Sequence, residues 1–191
     1  MSFVSSISAQ DATGLLKTHY DQIAAHVGRK DEPNNIIKGW SLQPEIAEAW
    51  IQWLRISQER SGLDRVTYEC MECRIMYLLK CRFVLVNHCF ILHNLSGWDH
   101  DKIKRVVHTP EGAGLDARQV AVIRFAEKTC LRSHEVGKAD VQALLAHGFS
   151  EPQYVALVFT ISALVSNAIY PNALGVELNE FSKAYRDIAD W

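Results

Sequence analysis

The stretch RFVLVNHCFILHNLSGW, residues 82–98, decides how the chain is read. It gathers nucleophile and base side chains tightly: His88, Cys89 and His93. Asn87 stands directly before them, and its side chain suits a helix N-cap. A cap there predicts a helix break at Asn87 and sets the Cys89 thiol in the first turn of a new helix. Unpaired backbone N–H groups and the helix dipole favour an anion in that turn, which lowers a thiol pKa. His93, four residues on, shares a helical face with Cys89. A thiol and an imidazole one turn apart form a minimal nucleophile–base pair.

Upstream, Val66 to Leu85 is the most apolar segment. Cys70, Cys73, Met76, Tyr77, Leu79 and Phe83 cover much of its circumference, which predicts one buried central helix. Arg74 is out of place on it, because a buried guanidinium needs a partner. It reads as a bidentate clamp for a substrate carboxylate, against an internal salt bridge to Glu69 or Glu72. Cys70 and Cys73 form a mid-helix C-x-x-C without the stabilised N-terminal thiolate. They read as packing residues rather than a redox or zinc motif. Trp40, Trp50 and Trp53 read as core or interface, whereas Trp98, just after the reactive stretch, is admitted to a substrate pocket.

Further out, apolar residues at helical spacing predict helices over 11–27 and 44–57, with a loop at 28–35 and a short turn at 36–40. Asp99 caps a helix to Val107. Others follow at 117–131, 138–147 and 151–168. Tyr170-Pro171-Asn172 predicts a break, and 179–191 a last amphipathic helix. No segment alternates as a strand does. The chain reads as all-α: a loose arm over 1–10, then one helical domain over 11–191.

Of the 191 residues, 48% are hydrophobic and 22% charged, with a net charge of −2. No basic block stands out, so neither nucleic acid nor a membrane surface is expected as partner. The start, MSFVSSISAQDATG, lacks the basic and apolar regions of a signal peptide. The apolar run 154–168 is short for a membrane span. Five cysteines without a secretory signal point to reduced thiols in the cytoplasm.

Three segments carry a resemblance: ATGLLKTHYDQI (12–23), NNIIKGWSLQPEIAEAW (34–50), and GFSEPQYVALVFTISALVSNAIYPNALGVEL (148–178). With a long apolar helix ending in HC…H, the chain resembles the AhpD-like superfamily of alkylhydroperoxidase D proteins and carboxymuconolactone decarboxylases, over roughly residues 11 to 180. The resemblance implies an all-α bundle whose protomers associate as a homo-oligomer (a dimer, trimer or hexamer). In the peroxidase branch the site reads Cys-x-x-Cys-x-x-x-His, with a glutamate twelve residues before the first Cys. Laid on this chain, Cys89 and His93 match, but Val86 replaces the first Cys and Arg74 the glutamate. In the decarboxylase branch the site reads His-Glu-x-x-x-His. There His88 and His93 match, and Cys89 replaces the glutamate.

These residues lead to an enzyme without the two-cysteine motif. His88 and His93 would be acid and base, Cys89 a polar or nucleophilic partner, and Arg74 and Trp98 substrate contacts. The expected reaction is decarboxylation, isomerisation or related proton transfer on a small organic acid, lactone or enolisable carbonyl, with no cofactor or metal. Two alternatives stand beside it. One is a one-cysteine peroxidase recycled by an external thiol. The other is a catalytically silent helical oligomer that binds a ligand or partner.

Overall fold

The computed structural model describes residues 2–27 and 34–191, and no strand occurs among them. Most of the loop expected at 28–35 therefore lies outside the described residues. The helices are α1 (Gly14–Val27), α2 (Asn35–Trp40), α3 (Pro44–Arg60), α4 (Arg65–Leu78), α5 (Arg82–Ser96), α6 (His100–His108), α7 (Ala117–Arg132), α8 (Lys138–Ala146) and α9 (Glu151–Leu174). A 3-10 stretch, Glu180–Ile188, closes the chain where a regular helix is expected.

The helix starts follow side-chain chemistry. Asp64, Asp99, Asp116 and Ser150 each accept a backbone N–H of the first turn, of Thr67, Lys102, Gln119 and Gln153. Gln119 and Gln153 reach back to complete capping boxes. α1 starts at Gly14 rather than Asp11, whose side chain instead takes the hydroxyl of Ser8.

The expected helix over 66–85 is two helices. The chain turns at Lys80, which takes a left-handed φ of 54°. There Lys80 N–H bonds the Tyr77 carbonyl and Cys81 N–H bonds that of Met76. Glycine or asparagine normally marks such a turn, and LLKCR carries neither. α5 then runs unbroken through Asn87, which is buried and caps nothing.

α4 and α5 lie against each other as the most extensive pairing in the fold, and α9 packs on both. Met71, Ile75 and Met76 of α4, Leu85 and Leu92 of α5 and Leu157 of α9 are fully buried between them and their neighbours. α9 continues through Pro171 and ends a turn later at Gly175, with φ 62°. By length and composition it could cross a membrane. Here it packs against α3, α4, α5 and α7, as a core helix does.

The arm expected to be loose is fastened. Phe3 N–H bonds the Leu174 carbonyl at 2.9 Å, and Ile7 N–H bonds Ser41 Oγ at 2.9 Å. The Phe3 ring packs over Gly175, whose left-handed φ of 62° favours glycine there.

Asn179 clasps three separate segments. Its Oδ1 accepts Asn35 N–H at 2.8 Å, and its Nδ2 donates to Asn34 Oδ1 and Asn87 Oδ1, each at 3.1 Å. Asn179→Ala leaves the buried Asn87 Oδ1 and the part-buried Asn34 and Asn35 groups without these partners. We expect a loss of about 2–4 kcal/mol, read from urea unfolding. An unchanged midpoint would show that the clasp contributes nothing.

Candidate functional site

The α4–α5 interface buries two carboxylates. Glu69 and Glu72 sit one turn apart on α4 and have no solvent-exposed surface. Isolated charges in such a place cost several kcal/mol each, so partners are required. His88 of α5 supplies both of its ring nitrogens. Nδ1 lies 2.6 Å from Glu69 Oε2 and Nε2 lies 3.2 Å from Glu72 Oε1. Arg65, one turn before Glu69, holds Glu69 Oε1 at 2.6 Å. Asn167 of α9 donates to Glu72 Oε1 at 3.1 Å. The result is a row: Arg65, Glu69, His88, Glu72, Asn167.

Proton affinities in this row are displaced. Burial pushes the Glu72 carboxyl up to about 7, even though the neighbouring His88 pulls it down. Burial alone would lower His88. The carboxylates of Glu72 and Glu69 outweigh that and raise it above its ordinary 6.5. Glu72 Oε2, Asn167 Oδ1 and the Tyr68 hydroxyl are buried without a hydrogen-bond partner. Arg65 and His88 keep 30% and 17% of their side chains exposed, and the row meets solvent through them.

The ligand atoms of Glu69, Glu72 and His88 all lie within 4.8 Å of one another, close enough to converge on one metal ion. The contacts favour proton sharing instead. Each imidazole nitrogen already faces its own carboxylate, and Arg65 with a protonated His88 balances both negative charges.

The next rung of the interface is sulfur. Cys73 follows Glu72 on α4, Cys89 follows His88 on α5, and their Sγ atoms are 3.9 Å apart. Cys89 is the eighth residue of α5, not in a first turn, and is fully buried. The helix-start activation expected from Asn87 is therefore absent. Cys81, the α5 N-cap, lies about 12 Å along the axis from Cys89 and is no exchange partner. The packing reading holds for Cys70, which is fully buried with its thiol pushed up to about 12 by burial.

The other expected site residues stand elsewhere. His93 is about 140° around the helix from His88. It is exposed, and its Nδ1 bonds the Trp98 carbonyl at 2.7 Å, tying down the end of α5. Trp98 is half-buried under the Lys102 ammonium, 3.9 Å from its ring centroid. Arg74 points the opposite way from Glu72. It bonds Glu127 of α7 and the carbonyls of Val107 and His108, the latter two at 2.6 and 3.1 Å. It lines a cavity of about 600 Å³ together with Arg124, Lys128 and His147, and none of His88, Cys89, His93 or Trp98 lines that cavity. Its Nε and Nη1 go to these structural partners, away from the His88 row.

Glu69, Glu72, Cys73 and Asn167 were not singled out by sequence reasoning as site residues. The family's glutamate position, twelve residues before position 86, is Arg74, whereas the face of α4 toward His88 carries Glu69 and Glu72. Those two are spaced i, i+3 on an otherwise apolar face, a signal that was available in the sequence.

No protein-family model matches the chain. No curated protein matches it either. Solved structures do. A peroxidase-related protein of Ralstonia eutropha JMP134, an alkylhydroperoxidase AhpD core, aligns with TM-score 0.84 at 20% identity over 94% of this chain and 93% of that one. A peroxidase-related protein of Silicibacter sp. TM1040 aligns with TM-score 0.81 at 21% identity over 95% of each. The debrominase Bmp8 aligns with TM-score 0.79 at 13% identity over 98% of this chain and 97% of that one. A Cys-to-Ala variant of Bmp8 was crystallised with 2,3,4-tribromopyrrole. At these identities the likeness is one of fold: this chain shares the fold of the alkylhydroperoxidase AhpD core structure and of the other peroxidase-related protein.

Proposed function

We propose that the chain is an acid–base enzyme acting on a small organic acid, lactone or enolisable carbonyl, with His88 and Glu72 as the groups that exchange protons. One observation carries this reading: an imidazole held between two buried carboxylates, one of them lifted to about 7. A carboxyl at that value is part acid and part base at neutral pH, which suits it to both halves of a proton transfer. Glu69, anchored by Arg65, fixes the His88 ring and favours the proton on Nδ1. Nε2 faces Glu72 Oε1, and Glu72 Oε2 is left without a partner, free to take or give up the carboxyl proton. His93, Arg74 and Trp98 have no part in it. The same reading includes a homo-oligomer, supported by Trp53 and Ile56 on α3 and Val155 and Ile169 on α9, which are exposed apolar side chains.

A second reading, peroxidase-type thiol chemistry at Cys89, is favoured by the neighbouring Cys73 and by the peroxidase-related proteins that share the fold.

The acid–base reading is tested by solvent exchange. A panel of small keto acids, lactones and enolisable carbonyls is incubated with the protein in D2O, and deuterium at carbon is followed by NMR. We expect incorporation into at least one panel member, and a loss of about 10²–10⁴-fold in His88→Asn and Glu72→Gln. Equal rates in the wild type and both variants would remove the reading.

The stored proton also predicts a pH dependence of stability. Glu72 and His88 both hold their protons more tightly in the folded chain than in the unfolded one. Their stabilisation is present on the acid side and fades as pH rises from about 4.5 through about 7. The Tm should fall across that window, and Glu72→Gln should flatten the fall. Parallel curves for the wild type and the variant in scanning fluorimetry would contradict it.

A further inference from the structure

On the side of α4 away from Glu72, the cavity of about 600 Å³ lies between α4, α7 and α8. α7 lines it with one face, positions 121, 124, 125, 128, 131 and 132, which is helical spacing over most of its length. α8 lines it with Asp140, Ala143 and Leu144, again one face, and α4 with Arg74 and Leu78. Small-molecule pockets usually enclose ~300–1,000 Å³, pair apolar walls with a few fixed polar groups, and occur between helices.

The lining has both kinds of surface. Leu78, Phe125, Leu131 and Leu144 supply apolar area, and Leu131 is half-exposed. Arg74, Arg124, Lys128 and Arg132 bring four positive charges, against the two carboxylates Glu127 and Asp140. Glu111 and Glu135 hold Arg124 and Arg132 from outside the lining, where both acids are exposed and screened by water. The two lining acids already have partners. Glu127 is divided between Arg74 and Arg124, and Asp140 takes the Lys128 ammonium and the Gly137 N–H, each at 2.8 Å. Arg74 is different. Its Nε and Nη1 are bonded, but its Nη2 has no hydrogen-bond partner among the described residues.

We propose that this cavity binds a small organic monocarboxylate with an apolar body, its carboxylate on Arg74 and its body against Phe125, Leu131 and Leu144. Arg74 is held in place by Glu127 and by the Val107 and His108 carbonyls at the end of α6, so little side-chain freedom is lost when an anion arrives. A neutral apolar ligand would cover the open Nη2 without giving it an acceptor. A phosphate dianion brings a second negative charge beside Glu127 and Asp140, which repel it. One charge on an apolar frame fits both halves of the lining. None of Arg65, Glu69, Glu72, His88 and Asn167 lines the cavity, so the site is separate from the proton-exchanging row.

Binding here needs no turnover, and it stands or falls apart from the acid–base reading. In the test, the isotopically labelled full chain is titrated with sodium benzoate at fixed ionic strength and followed by amide NMR. We expect saturable shifts at Phe125, Lys128, Leu131 and Leu144, with the neutral isostere benzamide about 10-fold weaker or more. Added NaCl weakens benzoate but not benzamide. Arg74→Gln removes the difference between the two ligands. Ala143→Trp fills the cavity from an exposed position on α8 and removes no polar contact, so it blocks both ligands and serves if Arg74→Gln does not fold. His88→Asn leaves benzoate binding unchanged. The proposal is overturned if benzoate causes no saturable shift at the lining, or if benzamide or inorganic phosphate binds as tightly. Benzoate binding that survives Ala143→Trp, or that His88→Asn abolishes, would overturn it as well.

Discussion

Two carboxylates without exposed surface, Glu69 and Glu72, dictate much of how the centre of this molecule is built. A buried charge without a partner is far more costly than any single apolar contact is favourable. α4 cannot pack against α5 and α9 unless counter-groups arrive with them. His88 arrives on α5, Asn167 on α9 and Arg65 from the first turn of α4 itself. Because each partner comes from a different turn or helix, the row fixes the rotation of three elements at once. Apolar packing among Met71, Ile75 and Leu85 would tolerate small rotations. Hydrogen-bonding distances of 2.6 to 3.2 Å tolerate fewer.

The same constraint creates the chemistry. A carboxyl that is buried, hydrogen-bonded on one oxygen and bare on the other keeps its proton into the neutral range. The imidazole beside it keeps its own proton for the opposite reason, the negative charges around it. Proton storage therefore follows from the packing requirement. The sulfur contact one residue along both helices repeats the pattern, with two groups brought together because their helices are fixed by the row beside them.

Away from the centre, small polar groups hold the periphery. Asn179 links the approach to α2, the middle of α5 and the segment after α9 through a single amide. The resemblance in the sequence was carried partly by NNIIKGW and by the NALGVEL ending. The fold brings these two stretches together, with Asn35 Nδ2 donating to the carbonyls of Glu177 and Leu178.

The sequence by itself determined the helical class and most helix starts, and it set His88 and Cys89 side by side on one helix. Those are local matters. Capping needs one side chain and the next turn, and amphipathic spacing needs only a period. Lys80 was illegible because a left-handed lysine has no residue signature and is held there by tertiary packing. That turn sets how α4 and α5 are rotated against each other, and so puts Glu69 and Glu72, not Arg74, opposite His88. Only the tertiary structure decided which of the polar residues meet. Contacts between α4, α5 and α9 depend on the relative rotation of three helices, which no single helix encodes. His93 and Arg74, plausible by spacing, proved to serve a helix end and a salt-bridge network, while a glutamate pair, an asparagine and a second thiol completed the centre.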